Sequence, residues 1–210
     1  MEKNVFGDKQ PWGAYTEQWM AERTEEQAFP RGVGEKNIFL STMSGKCPKD
    51  YIDTGSEVLK AVDLGCNYAG MAYHFINAGF NYTGVDQSDI ALTFARNKFP
   101  EFRFIESLLW ALDIKEEFDL AYMQAVLQHN TWDEQEKIVP KIFDLVKPGG
   151  VWYFAEGTVL PNVAHPGMNQ RLHESWIELM TRHGFKFEKS WANDPAGIQN
   201  IYLFTKPVRR

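Results

Sequence analysis

Val62-Asp63-Leu64-Gly65-Cys66-Asn67-Tyr68-Ala69-Gly70, followed by Gly84-Val85-Asp86, is the stretch whose reading decides the fold. An apolar run ends in an acid and a glycine-bearing turn, and a second short run ends in another acid. A turn of this kind lets backbone approach a ligand closely, and a carboxylate at the end of the next strand suits both hydroxyls of a ribose. The pattern predicts a nucleotide site at the carboxyl edge of a sheet.

Outward from this stretch, strand and helix signals alternate. Val58 to Leu64 reads as a strand, Gly70 to Ala78 as a helix stopped by Gly79, and Tyr82 to Asp86 as a strand. Ser88 caps a helix to about Lys98, with Pro100 beyond it. Phe102 to Ile105 and Phe118 to Met123 are two further strands. Thr131-Trp132-Asp133-Glu134 has the form of a capping box, so a helix starts there, and Pro140 within it is expected to kink or split it. Lys147-Pro148-Gly149-Gly150 turns into a buried strand over Val151 to Ala155. Leu172, Trp176, Leu179 and Met180 fall at helical spacing within Gln170 to His183, with Gly184 as the stop. Phe185 to Trp191 and Ile198 to Thr205 form two last strands, joined by Asn193 to Gly197 with no helix between.

This order predicts an α/β fold: a doubly wound, mostly parallel seven-stranded sheet with helices on both faces and an antiparallel C-terminal strand pair. Residues 1–57 stand outside the rhythm. Their aromatic and charged mixture, with Trp12, Tyr15 and Trp19 near helical spacing, predicts an N-terminal helical lid over the carboxyl edge of the 58–210 domain.

The 210 residues carry a formal net charge of −6, which argues against a nucleic-acid partner. The opening Met1-Glu2-Lys3-Asn4 leads into no apolar signal segment, and no run approaches the length of a membrane span, so a cytoplasmic protein with no membrane partner is expected. Cys47 and Cys66 lack metal-ligand spacing and read as reduced thiols.

Two cofactors compete for the turn. A dinucleotide fingerprint places glycine at its first, third and sixth positions, with an acid about twenty residues on. Here those positions are Gly65, Asn67 and Gly70, with Asp86 beyond. Asn tolerates a left-handed backbone, yet its side chain would crowd a pyrophosphate. An NAD(P)-dependent oxidoreductase therefore stands as the alternative.

Over about Val58 to Pro207 the chain resembles the class I S-adenosylmethionine-dependent methyltransferases. The residues that carry the likeness are Asp63-Leu64-Gly65-Cys66, Asp86, Phe118-Asp119-Leu120 leading to Ala125-Val126-Leu127-Gln128-His129, the Lys147 to Gly150 turn, and the terminal strand pair. Asn67 and Ala69 stand where that family usually has glycine. The resemblance implies S-adenosylmethionine as cofactor. Gly65, Cys66, Asn67 and Gly70 would present the turn to its methionine portion, and Asp63 would hold the ammonium. Asp86 would take the ribose, Gln87, Glu106 and Ser107 the adenine, and Gln124 would lie beneath the methionine. A methyltransferase fold turned to binding alone is a further alternative.

Methyl transfer from a sulfonium is an in-line displacement whose leaving sulfide needs no proton, so positioning dominates. His129, after the fourth strand, is the first candidate base, weighed against a role as helix cap. Glu156, ending the fifth strand, is the second, as base or amine ligand. His165 and His173 lie in or after the Gly157 to Met168 loop. Trp12, Tyr15 and Trp19 read as lid packing or as a wall that excludes water. Tyr68, in the turn, is placed against the methionine or the methyl site, and Trp110, Trp132 and Trp152 in or near the core. After the fourth strand there is no Asp/Asn-Pro-Pro-aromatic sequence, and there is no Pro-Cys nucleophile and no acid pair with Asn for a metal. The expected partner is a small-molecule methyl acceptor, the expected metal none, and the expected assembly a monomer or homodimer.

Overall fold

The computed structural model describes residues 12–33, 36–41, 46–158, 168–193 and 199–208, with the backbone alone for 12–16. His165, the Asp194 to Gly197 link, the Arg209-Arg210 end and the side chains of Trp12 and Tyr15 fall outside that description. The strands are β1 (Leu59–Leu64), β2 (Phe80–Asp86), β3 (Arg103–Glu106), β4 (Phe118–Gln124), β5 (Val146–Gly157), β6 (Lys186–Ala192) and β7 (Gln199–Thr205). They form one seven-stranded sheet in the order β3-β2-β1-β4-β5-β7-β6. The first five strands pair parallel, and β7 runs antiparallel between β5 and β6. The order reverses between β1 and β4, which opens a crevice at their carboxyl ends.

The helices are α1 (Trp12–Ala21), α2 (Glu25–Ala28), α3 (Ala72–Asn77), α4 (Asp89–Lys98), α5 (Trp132–Leu145) and α6 (His173–Arg182). Strand side chains alternate, so each strand feeds two cores. Val62, Leu64, Ala121, Met123, Trp152 and Phe154 pack with Ile138, Ile142, Trp176 and Met180 of α5 and α6. Ala61, Tyr82, Leu120, Tyr122 and Tyr153 point the other way and pack with Ala72, Phe75, Ala95 and Phe99. Phe39, from the N-terminal segment, is fully buried in this second core against Phe75, Phe80, Tyr122 and Tyr153.

The caps read from sequence form as expected. Ser88 Oγ accepts the Ala91 amide, and Thr131 and Glu134 exchange bonds as a capping box. Gly184 has a φ of +99°, the left-handed stop. Pro140 does not split its helix, because α5 runs unbroken from Trp132 to Leu145. Its apolar stripe of Ile138, Val139, Ile142 and Leu145 is held on the sheet from both sides of the proline, and that packing outweighs one lost backbone bond. The Lys147 to Gly150 turn lies inside β5 as an irregularity, with the β4–β5 register jumping between Phe118 and Leu120. Of the tryptophans assigned to the core, Trp152 is fully buried, whereas Trp110 and Trp132 are 40% and 50% exposed.

At the amino edge of the sheet, fully buried Asp119 pins four segments. It accepts bonds from Thr54 Oγ1, from Ser56 Oγ (2.6 Å), from the Lys60 amide (2.7 Å) and from Lys147 Nζ (3.1 Å). Gly149 must be glycine here: its φ is +79°, and a Cβ would lie 2.0 Å from the Asp53 carbonyl oxygen. Burial alone would raise the Asp119 pKa, but the bonds from Ser56, Thr54, Lys60 and Lys147 together hold it below the usual carboxylate range. A depressed carboxylate contributes stability above its unfolded pKa, and that contribution is lost as pH falls through the folded one. Asp119→Asn is expected to lower unfolding stability by roughly 2–3 kcal/mol at neutral pH, below the full value for a buried pair because Lys147 is partly exposed. The deficit should shrink below about pH 4. Urea denaturation at the two pH values checks this, and coincident curves at neutral pH would count against the staple.

Candidate active site

The turn after β1 is held by β2. The amides of Gly65 and Cys66 both donate to the Val85 carbonyl, at 2.8 and 3.0 Å. Gly65 has a φ of +78°, and a Cβ there would sit 2.4 Å from Val126 Cγ2, so the position needs glycine for its conformation and for the approach of the chain leaving β4. Asn67 and Ala69 are also left-handed, with φ of 51° and 61°. Left-handed backbone, which glycine adopts most readily, is therefore held here by Asn and Ala. Gly70 owes its lack of side chain to the N-terminal segment, since a Cβ would lie 2.9 Å from the Ala28 carbonyl oxygen.

Two acids face the crevice behind this turn. Asp86, at the end of β2, accepts the Asn67 amide (2.8 Å) on one oxygen and the Ser88 amide (2.9 Å) on the other. Burial raises its pKa, against the opposing pull of these amides and that of Gln87. Asp63 is 3% exposed and accepts the Tyr82 hydroxyl at 2.9 Å. Burial pushes its pKa to about 7, with the Tyr82 bond opposing and the Asp86 charge adding. Burial likewise pushes the Cys66 thiol well up, so it stays protonated.

The cavity these residues line encloses about 520 Å³ and reaches from the turn to the ends of β3 and β4. Ser107, Leu108 and Leu109 enter from β3, and the Ser107 amide is fixed by the Asp86 carbonyl at 2.9 Å. Tyr122 and Gln124 enter from β4, joined by a 2.6 Å bond from the Tyr122 hydroxyl to Gln124 Oε1. Val126, His129 and Asn130 follow. Trp19, Gln27, Ala28 and Pro30 close the N-terminal side, with the Trp19 ring 4.9 Å from that of Tyr68. The Arg23 guanidinium covers Trp19 at 3.4 Å.

Of the residues singled out from sequence, Asp63, Gly65, Cys66, Asn67, Gly70, Asp86, Gln87, Ser107, Gln124 and His129 all line this cavity. Burial lowers the His129 pKa, so its imidazole is neutral at pH 7. Glu106 is exposed and does not line it. Glu156 does not line it either: it is fully buried, and its carboxylate accepts the amides of Val126 (2.8 Å), Leu127 (2.8 Å) and Gln128 (3.2 Å). Strand parity accounts for this. Asp63, Asp86, Tyr122 and Gln124 share the face of Tyr82 and Leu120, whereas Glu156 shares the face of Trp152 and Phe154. His173 is also structural, stacked on Tyr202 and within 3.3 Å of Ser190 Oγ.

Tyr122 escaped the sequence reading although it stands two residues before Gln124, on the same face. Gln27, Pro30 and Asn130 had no signal in the sequence, because loops and a helix of four residues set their direction.

Residues 61–150 match the family described as a methyltransferase domain. Over 97 residues, 43% of this chain, the sequence is 35% identical to a trans-aconitate 2-methyltransferase of Paracidovorax citrulli. The matched stretches span only 35–44% of the length of the curated relatives. Among solved structures, a TehB-like SAM-dependent methyltransferase from Corynebacterium glutamicum aligns with a TM-score of 0.67 at 18% identity, covering 93% of this chain and 97% of that one. The glycopeptide N-methyltransferase MtfA, solved with S-adenosyl-L-homocysteine, aligns with a TM-score of 0.60 at 12% identity, over 73% of this chain and 85% of that one. Residues 61–150 thus match the methyltransferase-domain family, and the seven-stranded sheet built on them has the fold of solved S-adenosylmethionine-dependent methyltransferases.

Proposed function

We propose that this chain transfers the methyl group of S-adenosylmethionine to a small uncharged acceptor. The observation that carries the reading is the joint placement of Asp63, Asp86 and the Gly65 turn around one cavity. Asp86 has both oxygens fixed by backbone amides and still lines the space, which suits ribose hydroxyls. Asp63 offers an anion to an ammonium. Leu108 and Leu109 offer an apolar surface for a base, with Gln87 and Ser107 beside it. When bound, the sulfonium supplies an activated methyl group for in-line displacement.

The remaining wall is made of rings (Trp19, Tyr68, Tyr122), carboxamides (Gln27, Gln124, Asn130) and the neutral His129. Such groups hold a polar but uncharged molecule. No Lys or Arg is among the described residues that line the cavity, so a polycarboxylate such as the trans-aconitate in the curated relative's name would meet no cation there. We assign the covering role to residues 12–30, which supply Trp19, Gln27, Ala28 and Pro30. A neutral imidazole at His129 suits removal of an acceptor proton.

Calorimetric titration with S-adenosylmethionine and with NAD(H) tests the cofactor, and labelled-methyl transfer across an acceptor panel tests the reaction. Binding of NAD(H) with no response to S-adenosylmethionine would sink the reading. Asp86→Ala should weaken S-adenosylmethionine binding at least tenfold, about 1.4 kcal/mol, and unchanged affinity would remove Asp86 from the site. His129→Gln should slow transfer with little loss of cofactor affinity; full turnover would leave it a wall residue.

A pH dependence also follows. Because folding raises the Asp63 pKa to about 7, its ionisation costs stability as pH rises through that value. A ligand ammonium placed against it returns that stability. The rise in melting temperature caused by saturating S-adenosylhomocysteine should therefore be larger at pH 8 than at pH 6. An equal rise in Asp63→Asn and in the unaltered chain would show that Asp63 does not meet the ammonium.

A further inference from the structure

We propose that Glu156 is a positioning residue whose carboxylate sets the shape of the cavity wall after β4. The inference rests on the methyltransferase reading only for its consequence at the cofactor; the geometry stands by itself. The chain leaves β4 by a sharp reversal at Ala125, which has a φ of 54° and whose amide donates to the Ala155 carbonyl at 2.8 Å. The next three amides, of Val126, Leu127 and Gln128, then converge on Glu156 at 2.8, 2.8 and 3.2 Å. This is an anion nest built from consecutive N–H groups, with the anion supplied by the neighbouring strand.

What the nest holds is the wall itself. Val126 lies where a Cβ on Gly65 would touch it, and His129 and Asn130 follow within the same turn. On the opposite side, Gln135 Nε2 donates to the carbonyls of Leu127 (2.9 Å) and Asn130 (3.1 Å), and Gln128 Oε1 accepts the Gly157 amide at 2.9 Å. These are carboxamide contacts that do not titrate. Glu156 is the titratable member of the grip among the described residues.

An ionised carboxylate accepts all three amides. A protonated one presents an O–H to a ring of donors, so at least one amide loses its partner. Burial raises the Glu156 pKa to about 7 against the pull of the three amides, so both forms are populated near neutrality. The titratable and charged groups on the elements around it are Tyr202 on β7, His173, Glu174 and Arg171 at the start of α6, and His129 in the turn. Tyr202 senses the Glu156 charge: its pKa rises to about 12, chiefly by burial, with Glu156 and then Glu174 adding. His173 bonds Tyr202 at 3.2 Å, and Arg171 bonds Gln135 at 2.7 Å.

The test begins with the unaltered full chain. Between pH 5.5 and 8.5, the amide resonances of Val126, Leu127 and Gln128 should shift together with one midpoint near pH 7. In Glu156→Gln, the carboxamide oxygen still accepts but its NH₂ meets a backbone donor. The common shift should vanish, and the Gln128 amide should exchange with solvent at least about tenfold faster. Resonances that stay flat in the unaltered chain, or the same titration in Glu156→Gln, would overturn the proposal, and the first readout needs no variant to fold. For the consequence at the site, the gain in S-adenosylhomocysteine affinity from pH 6 to pH 8 should be at least about threefold larger in the unaltered chain than in Glu156→Gln, which keeps the Asp63 contribution. Equal gains would overturn the coupling to the cavity. Absence of any S-adenosylhomocysteine binding would instead defeat the cofactor reading, and the amide titration would still decide the role of Glu156.

Discussion

A carboxylate withdrawn from water is costly unless its lone pairs are filled by donors already fixed in place, and backbone amides at turns are such donors. The three buried or half-buried acids Asp86, Asp119 and Glu156 use this device to tie the sheet to its connections. Asp86 joins the end of β2 to the turn after β1 through the Asn67 amide. Glu156 joins the end of β5 to the turn after β4. Asp119 joins the start of β4 to the start of β1 through the Lys60 amide, and to the turn within β5 through Lys147. Each bond crosses between neighbouring strands, so the two turns that frame the cavity are placed by the sheet and not by their own sequences. Loops held in this way are preorganised for a ligand, and little ordering entropy remains to be lost on binding.

The acids differ in what surrounds them, and the difference separates stability from function. Asp119 has four donors, one of them a cation, and its pKa falls. Among the described residues no cation is bonded to Asp63 or Glu156, and burial pushes each to about 7. The first contributes to folding at neutral pH, while the ionised forms of the other two oppose it. Groups held at such a cost cluster where a site needs them. Asp63 faces the cavity, open to the cationic ligand group proposed for it. Glu156 lies behind the wall, where three amides relieve it only in part.

Much of this was legible in the sequence because local chemistry forces it. Ser88, Thr131 and Gly184 announce helix ends through bonds and conformations that few other residues supply. Asp63 and Asp86 were legible as cavity-lining acids because each closes or nearly closes an apolar strand, and the crevice of an open α/β sheet lies at the carboxyl ends of such strands. Glu156 was legible as an acid at a strand end but not as a wall support. Its direction follows from counting two residues back to Phe154 and then knowing that Phe154 faces α5 and α6, which is a tertiary fact. Glu106 closes a short edge strand and stands exposed outside the cavity lining. Phe39 shows the same limit at larger scale: nothing in residues 1–57 signals that one of their aromatics sits among the rings of the sheet's core.

The departure from glycine at positions 67 and 69 can be weighed in energies. A left-handed residue with a Cβ costs about 1–2 kcal/mol, and Asn loses less than Ala because its side chain tolerates that region. At Asn67 the compensation is direct, since the left-handed turn aims its amide at Asp86. Ala69 has no such bond to a carboxylate, but its methyl is fully buried among Ala72, Phe75 and their neighbours. Burying one methyl contributes about 0.8 kcal/mol, and replacing glycine removes unfolded-chain entropy of similar size. Together these offset most of the strain. The turn thus holds left-handed backbone at two positions without glycine, and it does so with less freedom to open. That rigidity agrees with Gly70 being closed against Ala28 and with the Gly65 and Cys66 amides sharing one acceptor: this side of the cavity is fixed by the fold.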